Sequence, residues 1–130
     1  EAYRAEGIAR RRSAVLFHFH PKLRETPLVQ YYADMVCGLS NAGTLESIML
    51  MNQALADASP DLYPRIKVPT LIIIGGDDFT KPGAYKLQSL VKGSEIVEMP
   101  GAGHANCFEQ PWEYDRLAIA YLKRRGLFPG

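Results

Sequence analysis

Val68-Pro69-Thr70-Leu71-Ile72-Ile73-Ile74-Gly75-Gly76-Asp77-Asp78 decides how this chain is to be read. The apolar run 70–74 is too short for a helix, is bounded by proline and glycine, and does not alternate apolar with polar side chains. A short unbroken run of that kind suits a strand covered on both faces, as in a parallel sheet. Downstream, Pro82 stands at a first helical position, and Ala84, Leu87, Leu90 and Val91 continue a helix towards Gly93, a residue suited to a C-cap. A second β-type segment, Glu95-Ile96-Val97-Glu98-Met99, runs into Pro100-Gly101-Ala102-Gly103-His104. Gln110-Pro111 then opens a closing helix with Tyr114, Leu117, Ala118, Tyr121 and Leu122 inward. Lys123, Arg124 and Arg125 stand at the negative end of its dipole. Strand–helix–strand–helix is a βα unit repeated, with a right-handed crossover expected.

Each strand delivers a polar residue at its C-terminal end. A carboxylate and an imidazole on neighbouring parallel strands can meet above the sheet edge. There the acid fixes the histidine tautomer and stabilises the ring when it is protonated. Asp78 and His104, 26 positions apart, are therefore candidates for two members of a nucleophile–His–acid triad. The third member is missing, because the chain holds no Gly-x-Ser-x-Gly. Asp77 competes for the role of acid, with capping or turn chemistry at the strand end as its other use.

Upstream of the deciding stretch, residues 1–67 read as helices and loops. Thr26-Pro27 is an N-cap followed by a first-turn proline, and Val29, Tyr32, Met35, Val36 and Leu39 recur at helical spacing. Gly43-Thr44 starts another helix, with Leu45, Ile48, Met49, Asn52 and Leu55 on one stripe, and Ser59-Pro60 ends it. Met35, Met49 and Met51 read as adaptable core filler rather than pocket lining. Two strands cannot make a doubly covered parallel sheet alone, so either the helices of 1–67 do unusual work or, the preferred reading, the remaining strands lie on another polypeptide.

Bulk properties exclude several classes. At 130 residues the chain has the length of one domain, and 47% hydrophobic with 22% charged content is globular. Fifteen Lys+Arg against fourteen Asp+Glu leave a net charge of +1, which implies neither nucleic acid nor an anionic membrane. Arg10-Arg11-Arg12 reads as a solvated helix face. Two cysteines, Cys37 and Cys107, make no disulfide framework, and a cytoplasmic setting is expected. No run reaches the ~18 apolar residues of a membrane span. Glu1-Ala2-Tyr3-Arg4 starts inside what reads as a helix, resembling neither a signal peptide nor an initiator methionine, so a fragment of something larger is expected.

These motifs resemble the C-terminal half of the α/β-hydrolase-fold family. Ile66-Lys67-Val68-Pro69-Thr70-Leu71-Ile72-Ile73-Ile74-Gly75-Gly76-Asp77-Asp78, then Pro82, is similar to its penultimate core strand and acid loop, P-T-L-x-I-x-G-x-x-D…P. Glu98-Met99-Pro100-Gly101-Ala102-Gly103-His104, then Phe108-Glu109-Gln110-Pro111, is similar to its last strand, catalytic-histidine loop and closing helix. The likeness covers roughly residues 64–125. It implies an α/β fold in two parts: 1–63 a helical lid remnant, 64–130 the C-terminal part of the core, incomplete alone. It also implies Asp78 as the acid, being the aspartate three residues after Gly75, with the side chain of Asp77 pointing elsewhere. His104 is the implied general base, taking a proton from the nucleophile and returning it to the leaving group. Gly101 and Gly103 would permit the turn that presents it.

The nucleophile elbow and the oxyanion-hole amides precede any segment present here. Serine is the usual nucleophile; aspartate, as in dehalogenases and epoxide hydrolases, and cysteine stay open. The expectation is a hydrolase acting on an ester, lactone or similar small acyl substrate, with no cofactor, metal, nucleic acid or membrane. A companion polypeptide would carry the nucleophile, and the chain alone would be inert. The alternative is a non-catalytic binding or structural module on the same scaffold.

Three further patterns stand beside these. Gly75-Gly76-Asp77-Asp78-Phe79 matches the short string of diguanylate cyclases, but there the motif turns a β-hairpin, whereas Thr80-Lys81-Pro82-Gly83 starts a helix. His18-Phe19-His20 has the spacing of two metal ligands on an extended segment, with no third ligand nearby, and reads as an exposed or lid-packed pair. Cys107 reads as a buried thiol near the pocket. Phe79, Ala105 and Asn106 flank the candidate catalytic pair.

Overall fold

The computed structural model describes residues 7–39, 45–57 and 60–128. In chain order they form α1 (Gly7–Phe17), α2 (Pro27–Leu39), α3 (Leu45–Ala56), β1 (Leu71–Gly75), α4 (Lys81–Leu90), β2 (Glu95–Met99), α5 (Asn106–Glu109) and α6 (Pro111–Arg124). Two 3₁₀ turns, Pro21–Leu23 and Pro60–Arg65, complete the list of elements. The chain divides into two compact units, one of Glu1–Phe17 with Lys22–Pro60, the other of His18–Pro21 with Asp61–Gly130. The boundary thus falls near 60, and the short stretch 18–21 belongs with the strands.

In the first unit α1 packs on α2. Val29, Ala33 and Cys37 form the buried stripe of α2, at the four-residue spacing that keeps side chains on one helix face. Pro27 is the first helical residue, as its fixed φ favours. The Thr26 hydroxyl, however, donates to the Leu23 carbonyl at 2.6 Å, so it serves the preceding turn. Arg12 is not a purely solvated residue: its Nε reaches Asp34 Oδ1 at 2.6 Å and its guanidinium also bonds Gln30, both on α2. The core-filler reading of the methionines does not hold, since Met35, Met49 and Met51 are 40%, 62% and 57% exposed. The expected helix start at Gly43-Thr44 and end at Ser59, and the opening Glu1–Arg4, lie outside the described residues.

The second unit is built on β1 and β2, which pair in parallel from Leu71↔Glu95 to Gly75↔Met99. Only the downstream end of β1 is fully covered: Ile74 and Gly75 are buried, while Leu71–Ile73 are half-buried. Two strands are all the described residues supply, so the upstream part lacks the double cover its composition suits. Ile74, Val91, Met99, Ala102 and Tyr121 are buried. Burying a side chain such as Met99, which has no exposed area, stabilises by about 1.5–3 kcal/mol.

The connections follow their punctuation. Lys81 and Pro82 open α4 after Thr80, and Gly93 takes φ +79° in the turn closed by Ser94 N–H on the Val91 carbonyl. Lys81 Nζ donates to the Gly76 carbonyl at 2.8 Å, tying the start of α4 to the turn after β1. At the other end Glu95 accepts from Arg125 and Arg124 at 2.7 and 2.8 Å, pinning the head of β2 to the tail of α6. A helix directly after the Gly-Gly-Asp-Asp turn and a parallel second strand exclude the hairpin of the cyclase reading. No helix among the described residues is long and apolar enough to cross a membrane.

Candidate active site

Asp78 lies three residues past β1 and His104 five past β2, and the parallel register brings these two strand ends side by side. The turns that carry them are locked to each other. Gly76 N–H donates to the Met99 carbonyl at 2.8 Å and Asp77 N–H to the Ala102 carbonyl at 3.0 Å. The approach needs glycine at 75, where a Cβ would stand 2.1 Å from the Gly103 oxygen and 2.4 Å from that of Ala102. Gly101, at φ +68°, makes the turn before the histidine.

His104 Nδ1 meets Asp78 Oδ2 at 3.0 Å and Oδ1 at 3.2 Å. The Asp78 side chain is 1% exposed, that of His104 42%. The acid is sealed behind the ring while the ring keeps an open side. Thr80 completes the carboxylate's shell: its backbone N–H donates to Oδ1 at 2.7 Å and its hydroxyl to the same atom at 2.9 Å. Burial pushes the Asp78 carboxyl up, but the bonds from the Thr80 amide, the Thr80 hydroxyl and His104 outweigh it and hold it below the ordinary carboxylate range. The group is therefore an anion at neutral pH, aimed at Nδ1. With a proton on Nδ1 facing the carboxylate, Nε2 is left with its lone pair free to accept a proton. Nε2 makes no hydrogen bond to any described residue.

Asp77 points elsewhere. It is exposed, and its Oδ2 lies 3.5 Å from His20 Nε2. His20 belongs to a segment that periodicity gave no reason to place here. His18, Phe79 and His104 form a cluster of three rings: His18 to His104 is 5.0 Å between centroids, Phe79 to His104 5.2 Å, and His18 to Phe79 5.9 Å. Among the described residues no three His, Cys, Asp or Glu side chains gather closely enough to hold a metal ion, and His18-Phe19-His20 is used instead for packing, with Phe19 buried. Cys107 is exposed, contrary to the buried thiol expected, because the short helix α5 turns it outward and buries Asn106.

Sequence reading missed Thr80, His18 and His20 as parts of the site. Thr80 carried a signal: an aspartate two residues before a threonine, at a strand end, is an Asx-turn pattern. The histidines carried none, because only the folded chain brings them across more than eighty positions.

No protein-family model matches the chain. It is 32% identical over 68 residues to the 2-hydroxy-6-oxo-6-(2'-aminophenyl)hexa-2,4-dienoic acid hydrolase of Metapseudomonas resinovorans, covering 51% of this chain and 23% of that protein. It is 34% identical over 95 residues to a Klebsiella pneumoniae subsp. pneumoniae protein assigned as a carbamate hydrolase, RutD, covering 69% and 35%. The solved structure of CarC, a serine hydrolase involved in carbazole degradation, superposes with a TM-score of 0.65 at 19% identity, covering 91% of this chain and 46% of CarC. Other similar chains are assigned as non-heme haloperoxidases. The chain spans about a quarter to a third of the length of the curated relatives it matches.

Proposed function

We propose that this chain, whose fold matches α/β-hydrolase proteins over part of their length, supplies the acid, Asp78, and the base, His104, of a hydrolase acting on small acyl substrates. The bond between a buried, Thr80-held Asp78 and a half-exposed His104 carries this reading. The curated relatives are in large part hydrolases, which supports the class. The nucleophile, by this reading a serine, and the amides that would hold an oxyanion come from residues outside these 130, on a companion polypeptide or the rest of a longer one.

His104 Nε2 takes the proton of the nucleophile as its oxygen adds to the acyl carbon. Asp78 holds the resulting imidazolium by its Nδ1–H. When the carbon–leaving-group bond breaks, Nε2 passes the proton to the departing oxygen. Water then repeats the cycle on the acyl intermediate and frees the acid. The rings of His18 and Phe79 stand with their centroids 5.0 and 5.2 Å from that of His104, and such an aromatic border suits a small, partly apolar acyl group.

The test is turnover of short-chain p-nitrophenyl esters by the intact protein containing this chain, and by its His104→Ala variant. We expect release of nitrophenolate by the former and loss of about three or more orders of magnitude in the latter. Equal turnover by the two proteins would end the triad reading.

A further inference from the structure

Glu109 holds two separate stretches of backbone at once. Its Oε1 accepts from the His20 N–H and its Oε2 from the Gly103 N–H, both at 2.8 Å. The same two stretches meet again one residue past the histidine, where Ala105 N–H donates to the His18 carbonyl at 2.9 Å. The residues on either side of His104 are thus both fastened to the segment His18–His20. The packing has no slack: a Cβ at Gly103 would stand 2.7 Å from the His20 nitrogen, 2.9 Å from Glu109 Oε1 and 3.0 Å from the Phe19 carbonyl carbon.

We propose that Glu109 is a positioning residue for His104, fixing the histidine loop against the His18–His20 segment so that Nδ1 stays on Asp78 and Nε2 faces the nucleophile. This rests on the assignment of His104 as the base. The chemistry of the clamp is specific. A carboxylate only accepts, so it offers one oxygen to each amide, and its charge strengthens both bonds. A carboxamide of the same shape turns an NH₂ towards one of the two N–H groups, donor against donor. The loop then loses one anchor immediately before His104, and a displacement of about 1 Å at a reacting group costs about a hundredfold in rate.

The experiment uses the intact ester-hydrolysing protein with Glu109→Gln, Glu109→Asp and His104→Ala, reading kcat, KM and thermal unfolding. Glu109→Gln is expected to lower kcat by about ten- to a hundredfold while KM moves by less than about threefold. Glu109→Asp keeps two acceptor oxygens and is expected to recover part of the loss. The proposal is overturned if kcat falls only in step with the folded fraction, if KM rises as much as kcat falls, or if kcat does not fall. Should Glu109→Gln fail to fold, Glu109→Asp is judged by the same criteria. His104→Ala separates the two levels: if it stays active, the assignment of the base fails. If it is dead while the Glu109 variants keep full kcat, the positioning role alone fails.

Discussion

At the scale of single residues, Asp78 shows why the geometry dictates more than proximity. Both Thr80 donors converge on Oδ1, so in Asp78→Asn the amide oxygen takes that place and the NH₂ takes the place of Oδ2, facing His104 Nδ1. Nδ1 must then accept, the ring proton moves to Nε2, and His104 can no longer take a proton as the proposed base. We expect kcat of the intact enzyme to fall by about 10⁴ with little change in fold, measured by ester turnover beside circular dichroism. The depressed Asp78 carboxyl also has a stability consequence. Its stabilisation is fully present above the unfolded-chain value of about 3.9 and is lost as pH falls through the lower folded value. Urea midpoints of wild type and Asp78→Asn should therefore differ at neutral pH and converge in strong acid; a constant gap would contradict the pairing. The pair was legible because each member ends a strand-like run. Thr80 was not read, because threonine at a helix start has several ordinary uses, and the histidines at 18 and 20 reach the site only through tertiary folding.

At the scale of elements, what was legible is what local chemistry fixes. Proline and the strand ends set the starts to within a residue: β1 begins one position later than the apolar run, and α4 one before Pro82, but α4 ends at Leu90 with Val91 as its C-cap, so the Gly93 expected to cap it lies in the next turn. Burial on α2 was read less well, because the stripe is carried by the small residues Ala33 and Cys37 while Met35, apolar and at helical spacing, faces out. Composition marks an apolar residue without saying that a neighbour will cover it. The close approach of β1 to the histidine loop gives a test at this scale. In Gly75→Ala the new methyl meets carbonyl oxygens of backbone that is itself hydrogen-bonded, so no flexible side chain can yield. We expect destabilisation of about 1–3 kcal/mol or more and a joint fall in activity. Gly83 in α4 is the matched control, with nothing within 4 Å of its added Cβ. Gly83→Ala should be neutral or stabilise by up to about 1 kcal/mol. Thermal unfolding of the two variants separates site-specific crowding from a general intolerance of alanine.

At the scale of the whole molecule, two parallel strands are the sheet that the described residues supply, and the site sits at its C-terminal edge. A two-stranded sheet is marginal in water, and a parallel one gains stability from cover on both faces. In the second unit Val68, Phe108 and Trp112 stand 70%, 58% and 86% exposed, with Leu71–Ile73 only half-covered. Apolar side chains on and around a short sheet fit a surface made to meet further strands and helices, which is the part of the α/β-hydrolase fold these 130 residues do not contain. By the proposed function the pair Asp78–His104 would then depend on such a further part for its nucleophile, for the amides that hold an oxyanion and for the rigidity of the strands that aim it. The 130-residue chain expressed alone should bind a hydrophobic dye and melt over a broad range. The intact protein should exclude the dye and unfold in one sharp transition. A sharp, dye-free transition in the isolated chain would mean that β1 and β2 are already adequately covered, and the dependence of the site's geometry on further strands would fall, leaving the proposed nucleophile and oxyanion-holding amides as what the site needs from outside.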